Sequence, residues 1–173
     1  MNLIREDYLK LIRPYYDVEL IKVITGIRRS GKSVLMDTIK NELLAKGVAG
    51  SHIISINFED LDYSFITGIQ DLHDEIKSRI VDNEKHYIFL DEIQHIENFE
   101  KLLASLNAKF NCSIFVTGSD STMLSGELAT LLTGRTVEFE IFPFSFKESV
   151  DFMKLNNIEC APDEFIQDYI KWG

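Results

Sequence analysis

The sequence predicts an α/β fold, a three-layer α/β/α sandwich in which a mostly parallel five-stranded sheet lies between two layers of helices. Two observations lead to this prediction. Five short apolar segments rich in β-branched and aromatic residues alternate with longer segments whose apolar residues recur at helical spacing. Most of these short segments are predominantly apolar rather than strictly alternating, as expected when helices cover both faces of a parallel sheet.

The first half of the chain contains three predicted strands and two predicted helices. The strands cover 20–25, 52–58 and 86–90, and the helices cover 32–46 and 69–81. Gly47 is expected to end the first helix, because glycine readily takes the left-handed conformation found after helix ends. The second helix is indicated by apolar residues at positions 69, 72, 76 and 80.

The second half continues the alternation and ends in helical material. A helix is predicted over 99–110, strands over 113–117 and 137–141, and further helices over 145–154 and 163–171. Glu138 and Glu140 alternate with apolar residues, so the fifth strand is expected to be half exposed. We therefore expect a core domain over 1–142. Residues 143–173 are expected to be the start of a C-terminal helical segment that continues in a longer protein.

A phosphate-binding motif, G-x-x-x-x-G-K-S, lies between the first strand and the first helix. Gly26 and Gly31 permit backbone angles that let successive amide groups approach an anion at a helix N-terminus. Lys32 is expected to reach the β- and γ-phosphates, and the Ser33 hydroxyl to ligate Mg²⁺. The residues predicted to surround the nucleotide are Gly26, Ile27, Arg28, Arg29, Ser30, Gly31, Lys32, Ser33 and Val34. For the two arginines, a solvated surface side chain is the alternative.

Two adjacent acids follow the third predicted strand, where parallel sheets bind ligands. Asp91 is predicted to hold Mg²⁺, and Glu92 is the candidate general base that activates the attacking water. The motif N-K-x-D that is typical of guanine recognition does not occur in the chain. The sequence therefore favours ATP as the nucleotide.

Two further residues are candidates for contacting the γ-phosphate. Ser119, with Thr117 as the second choice, follows the fourth predicted strand and could hydrogen-bond the phosphate or the water; an ordinary turn is the alternative. Arg135 could neutralise charge on the transferred phosphoryl group, in its own subunit or in a neighbouring one. A surface cation is the alternative for Arg135.

Composition limits the remaining classes of function. The 173-residue chain carries a net charge of −10, which indicates no basic face for nucleic acid, although local patches are left open. No apolar run is long enough to cross a bilayer, and the acidic N-terminus lacks a secretory pattern, so we expect a cytoplasmic protein with no membrane partner. The four histidines, His52, His73, His86 and His95, show no metal-ligand spacing along the sequence.

Taken together, the motifs resemble the AAA-like archaeal and bacterial P-loop ATPases. The resembling segments are 21–33, 56–60, 89–94, 117–119, 132–135 and 142–146. The resemblance implies that the fourth strand lies between the phosphate-loop strand and the strand that ends in Asp91. It also implies ATP with Mg²⁺, and it assigns Arg135 to the nucleotide site. Longer members of the family carry a C-terminal nuclease-like domain.

These observations predict an AAA-like ATPase domain that hydrolyses ATP, slowly in isolation, and is coupled to an unknown client. The alternative is a nucleotide-gated switch with little turnover. A small-molecule kinase is disfavoured because 119–134 contains no arginine for a lid. The expected partners are nucleotide, and either further copies of the chain or an appended C-terminal domain.

Overall fold

The fold alternates strands and helices along the chain. A computed structural model describes residues 2–118, 132–158 and 169. The strands in this part are β1 (Ile21–Thr25), β2 (Ile53–Asn57), β3 (His86–Asp91), β4 (Cys112–Gly118) and β5 (Thr136–Glu140). The α-helices are α1 (Glu6–Ile12), α2 (Lys32–Ala45), α3 (Ile69–Arg79), α4 (Phe99–Lys109) and α5 (Phe146–Leu155).

The five strands form one sheet in the order β2-β3-β4-β1-β5, and every neighbouring pair is parallel. The predicted five-stranded parallel sheet is therefore confirmed, and so is the position of the fourth strand between the first and the third. All five strands end at the same edge of the sheet. The loops that follow β1 and β3 and the end of β4 consequently meet at that edge, where open α/β sheets bind ligands.

Apolar side chains pack on both faces of the sheet, and this produces the three predicted layers. Alternate residues of β3 point to opposite faces, because the side-chain period of a strand is two. Ile88 and Leu90 join a core with α3 and α4, whereas Phe89 joins a second core with α1 and α2. The Phe89 and Phe115 rings stack at 4.7 Å in the second core, an arrangement worth about 1 kcal/mol beyond burial.

The N-terminal helix α1 was not predicted from the sequence. It has seven residues, and only Leu9 and Ile12 are fully buried, so its apolar pattern is too short to recognise. Arg13 fastens it to α2 by donating to both carboxylate oxygens of Glu42, at 3.0 and 2.7 Å. Through Leu9, Ile12 and the Arg13–Glu42 contact, α1 therefore belongs to the same helical layer as α2 and is fastened near the C-terminal end of α2.

The predicted boundaries of the other helices are close to those observed. Gly47 ends α2 at φ +94°, and the next amide, that of Val48, donates to the Leu43 carbonyl at 3.1 Å, as predicted for a helix-ending glycine. The predicted helix over 163–171 lies outside the described residues except for Tyr169.

In the part of the chain that the structure covers, no helix has both the length and the apolar character needed to cross a membrane.

Candidate functional site

The phosphate-loop motif forms a tight connection between β1 and α2. Gly26 and Gly31 have φ of +144° and +94°, and Arg29 between them also has a positive φ of +68°. A Cβ atom on Gly26 would lie 2.2 Å from the carbonyl oxygen of Ile141. Gly26 is thus required both by its backbone angle and by the close approach of the residue that follows β5.

The N-terminus of α2 is open to an anion. The helix begins at Lys32, its N-cap residue Gly31 offers no side chain to the first amides, and no acidic residue lies in the first turn. Ser33 and Val34 are exposed there. Helix N-termini carry unsatisfied N–H groups and a partial positive charge, so this end of α2 favours phosphate.

Lys32 lies inside the loop and also reaches the acidic end of β3. Its side chain is 3% exposed, and Nζ donates to the carbonyl oxygens of Gly26 and Ile27 at 3.0 and 3.3 Å. The same Nζ lies 3.6 Å from Oε1 of Glu92. The structure therefore brings the predicted phosphate-binding lysine and the predicted general base into direct contact.

Thr117 connects the two acids at the end of β3. Its hydroxyl oxygen accepts from the Glu92 amide at 2.9 Å, and its hydroxyl donates to Oδ1 of Asp91. Gln94 Nε2 donates to the other carboxylate oxygen of Glu92, Oε2, at 2.5 Å. Thr117, the second choice for the residue that contacts the γ-phosphate, thus hydrogen-bonds to both Asp91 and Glu92. The first choice, Ser119, lies outside the described residues.

The loop and Glu92 border one cleft of about 430 Å³. Its lining residues are Arg28, Arg29, Gly31, Lys32, Ser33, Val34, Glu59 and Glu92. The cleft lies within the usual size range of small-molecule sites. Arg28 Nη2 pairs with Oε1 of Glu59 at 3.2 Å, and both side chains are exposed, so this pair contributes little and can open for a ligand.

The residues at the cleft fit a nucleotide with Mg²⁺. The hydroxyl of Ser30 is buried and has no hydrogen-bond partner, so the loop contains an orphaned polar atom. The position of a Cβ on Gly31 meets no atom within 4 Å, which leaves its backbone approachable. Ser33 and Asp91 supply the hydroxyl and carboxylate oxygens that Mg²⁺ prefers.

A smaller hollow of about 210 Å³ adjoins the cleft at the N-terminal end of α2. Arg29, Gly31 and Val34 border both spaces. The remaining walls of the hollow are mostly apolar and come from the N-terminus, α2 and the start of the C-terminal segment: Asn2, Leu3, Arg5, Leu35, Thr38, Phe144 and Phe152. Its apolar walls and a few polar groups suit a flat heterocyclic ring.

Arg5, which sequence reasoning missed, ties the loop to the C-terminal segment. It is 7% exposed, and its Nη1 donates to the carbonyl oxygens of Ser30 and Phe142 at 3.0 and 2.8 Å. Nε and Nη2 donate to the two carboxylate oxygens of Glu148 at 2.7 and 3.2 Å. Burial opposes ionisation of Glu148, but hydrogen bonds from Arg5 and Ser145 hold its pKa below the usual value. No local motif marks Arg5, because its partners are remote in sequence.

Arg135 lies at the opposite end of the sheet from the loop. It is exposed, it precedes β5, and its carbonyl oxygen accepts from the Ile21 amide at 2.8 Å. Since β1 and β5 are parallel, Arg135 lies at the start of β1 and Gly26 just beyond its end, about 16 Å apart. The structure does not bring Arg135 to the cleft of its own chain.

Comparisons with known proteins identify a matching family model and two relatives. A family model described as an AAA domain matches residues 18–150. An uncharacterized protein of Haemophilus influenzae is 40% identical over 98% of the chain, and one of Methanocaldococcus jannaschii is 36% identical over 88%. The chain spans only 42% and 35% of the length of these relatives.

Solved structures show the same fold at low sequence identity. A DNA polymerase III gamma subunit-related protein from Thermotoga maritima is 15% identical with a TM-score of 0.57, covering 86% of this chain and 49% of that one. The Aeropyrum pernix ORC2 protein, solved in ADPNP–ADP complexes, is 13% identical with a TM-score of 0.56, covering 94% and 54%. These likenesses concern the fold alone.

Proposed function

The chain belongs to the AAA domain family, and on this premise we propose that it binds ATP with magnesium and hydrolyses it to ADP and phosphate. One observation carries the proposal: Lys32 Nζ and Glu92 Oε1 lie 3.6 Å apart in a single cleft at the carboxyl edge of the sheet. A cation for phosphate and a carboxylate for water are therefore placed side by side.

In the proposed bound state the triphosphate lies against the N-terminus of α2. Lys32 exchanges its contacts with the carbonyl oxygens of Gly26 and Ile27 for phosphate oxygens. The exposed Arg28 and Arg29 add positive charge along the cleft. Adenine occupies the apolar hollow beside Val34; the ORC2 neighbour, solved with ADPNP and ADP, supports an adenine nucleotide.

Ser33 and Asp91 are the proposed magnesium ligands. When bound, the ion neutralises charge on the phosphates during transfer. The hydrogen bond from Thr117 orients the Asp91 side chain at the end of β3. A substitution at Thr117 is thus expected to act through Asp91 and the Glu92 amide rather than by direct contact with ATP.

Glu92 is the proposed general base. Its carboxylate is oriented by Gln94 and faces Lys32, so it can accept the proton of a water that attacks the γ-phosphate. Ser119 stays a predicted contact of that phosphate. Because Arg135 lies at the far end of β1, we propose that it acts on a neighbouring subunit, and that turnover by the isolated chain is slow.

The test compares ATP binding and phosphate release, with and without Mg²⁺, in matched variants. Lys32→Ala is expected to abolish binding, whereas Lys40→Ala, a lysine of the same helix outside the cleft, retains it. Glu92→Gln is expected to bind ATP and to lose turnover by roughly 100-fold or more, with the exposed Glu97→Gln as control. Parent-like hydrolysis by Glu92→Gln would show that Glu92 is not the base.

A nucleotide-gated switch is the second candidate function. It is favoured by Arg5, which contacts the Ser30 carbonyl of the loop and the Glu148 carboxylate of α5 at the same time. Nucleotide in the loop could thereby set the position of the C-terminal segment. Tight retention of nucleotide by the full-length protein, with negligible turnover, would favour the switch over the ATPase.

A further inference from the structure

Two histidines and an aspartate meet at the end of the sheet opposite the nucleotide cleft. His52 directly precedes β2, His86 begins β3, and Asp82 lies in the loop between α3 and β3. Ile53 pairs with Tyr87 in the β2–β3 register, which places the two histidines side by side. One ligand atom from each of the three residues lies within 4.8 Å of the other two.

The hydrogen bonds of His86 determine which ring nitrogen carries a lone pair. Nδ1 lies 2.9 Å from the Glu84 carbonyl oxygen, which can only accept, so Nδ1 carries the hydrogen. Nε2 lies 3.3 Å from the Val81 amide, which can only donate, so Nε2 carries the lone pair. A histidine whose Nδ1–H is bound to a carbonyl, so that Nε2 carries the lone pair, is the arrangement found in metal sites; here that lone pair accepts from the Val81 amide.

The backbone of Glu84 also orients the aspartate. Its amide donates to Oδ1 of Asp82 at 2.8 Å, and this leaves Oδ2 directed toward His52, whose Nε2 is 3.0 Å away. One residue thus positions two of the three ligand groups, His86 through its carbonyl and Asp82 through its amide. Such supporting contacts fix ligand geometry before an ion arrives.

The three side chains differ in burial, so a bound ion would have one buried ligand and a route of access from solvent. His86 is 1% exposed, the His52 side chain is 13% exposed, and the Asp82 side chain is 45% exposed. The His52 and His86 rings contact each other with centroids 4.7 Å apart. An ion can therefore enter past Asp82 and be held against the buried His86.

We propose that His52, Asp82 and His86 bind one divalent transition-metal ion of the zinc class, with water as the fourth ligand. Two imidazole nitrogens and one carboxylate oxygen are a preferred ligand set for zinc, whereas Mg²⁺ and Ca²⁺ prefer oxygen alone. Ligand atoms in a tetrahedral zinc site are about 3.3 Å apart. The three ligand atoms here lie within 4.8 Å of one another, so they need to move only slightly closer together.

Binding changes two existing contacts in this cluster. The Val81 amide gives up His86 Nε2, and His52 moves its hydrogen to Nδ1 so that Nε2 can ligate. The ion joins the starts of β2 and β3 to the loop before β3, and it is expected to raise the melting temperature of the chain. His86 and Asp91 occupy opposite ends of β3, about 16 Å apart, so this site is separate from the nucleotide cleft.

The experiment uses the untagged full chain without nucleotide. Zn²⁺ is titrated by calorimetry, and Co²⁺ is followed by its visible absorption, which reports a tetrahedral site. We expect one ion per chain and a raised melting temperature. His52→Ala and Asp82→Asn should each weaken binding by about tenfold or more, since each removes a ligand.

Matched controls separate this site from others in the chain. His73→Ala removes a second histidine–aspartate pair, whose Nδ1–Oδ1 distance to Asp74 is 3.2 Å, and should leave Zn²⁺ binding unchanged. Lys32→Ala should also leave it unchanged, because the nucleotide cleft is not involved. The proposal is overturned if Zn²⁺ gives no heat, or if binding persists in His52→Ala at parental affinity. Both ligand variants change side chains that reach the surface, so neither depends on repacking the buried His86.

Discussion

Replacing Gly26 by alanine tests the close approach that shapes the phosphate loop. The added methyl group would lie 2.2 Å from the Ile141 carbonyl oxygen and 2.9 Å from the Ser30 hydroxyl oxygen. The carbonyl cannot retreat freely, because the same residue is 1% exposed and its amide donates to the Thr25 carbonyl at 2.8 Å. The substitution must therefore displace the loop or the chain after β5.

The expected cost has two parts. A non-glycine residue at φ +144° costs about 1–3 kcal/mol in backbone strain. Forcing a methyl group into a packed site costs about 1–3 kcal/mol more. We therefore expect Gly26→Ala to lower the free energy of unfolding by about 2–6 kcal/mol.

Gly31→Ala is the matched control for this prediction. Gly31 lies in the same loop at φ +94°, but a Cβ there would meet no atom within 4 Å, so only the backbone strain applies. Urea unfolding followed by circular dichroism should show Gly26→Ala to be less stable than Gly31→Ala by about 1–3 kcal/mol. Equal stability of the two variants would refute the steric explanation.

Three further substitutions test other buried polar contacts. Burial lowers the pKa of Lys22 to about 7, below the usual 10.5, so the unfolded chain binds more protons between these values. The free energy of unfolding should then rise with pH from 7 to 10.5, by up to about 5 kcal/mol, and Lys22→Met should remove this rise in urea unfolding at several pH values. Thr117→Val should destabilise the chain by about 1–3 kcal/mol by leaving the Glu92 amide unpaired, and it should slow phosphate release. Arg5→Lys keeps the charge but cannot maintain the paired contact with Glu148. Because Arg5 also holds the Ser30 carbonyl of the phosphate loop, calorimetry should show weaker ATP binding. The control Lys10→Arg should bind ATP like the parent.

Local patterns were sufficient for the strands, most helices and the loop. Apolar runs and helical spacing depend on residues a few positions apart, and five strands and four of the five described helices were predicted from them. The residues of the loop motif follow one another in the sequence, and so do the two acids Asp91 and Glu92. The contact of the loop with Glu92 in one cleft was also predictable, because parallel strands carry their following loops to the same edge.

Contacts between remote segments could not be predicted in the same way. Arg5 binds Glu148 across 143 positions, and no pattern near either residue indicates it. His52 and His86 lack metal-ligand spacing in sequence, yet the pairing of β2 with β3 sets them side by side. Arg135 was predicted to act in its own subunit or in a neighbouring one, and only the parallel register of β5 with β1 places it at the end of the sheet opposite its own cleft.

The difference between the features that the sequence predicted and the contacts that it did not follows from how far along the chain each interaction acts. Propensity, turn geometry and helix-end chemistry act over a few residues, so the chain by itself determined its elements and its phosphate loop. Strand register and side-chain packing join segments that are distant along the chain, and only their assembly decides which buried groups become neighbours. The position of Thr117 between Asp91 and Glu92 belongs to this second kind, because it arises where β3 and β4 end together.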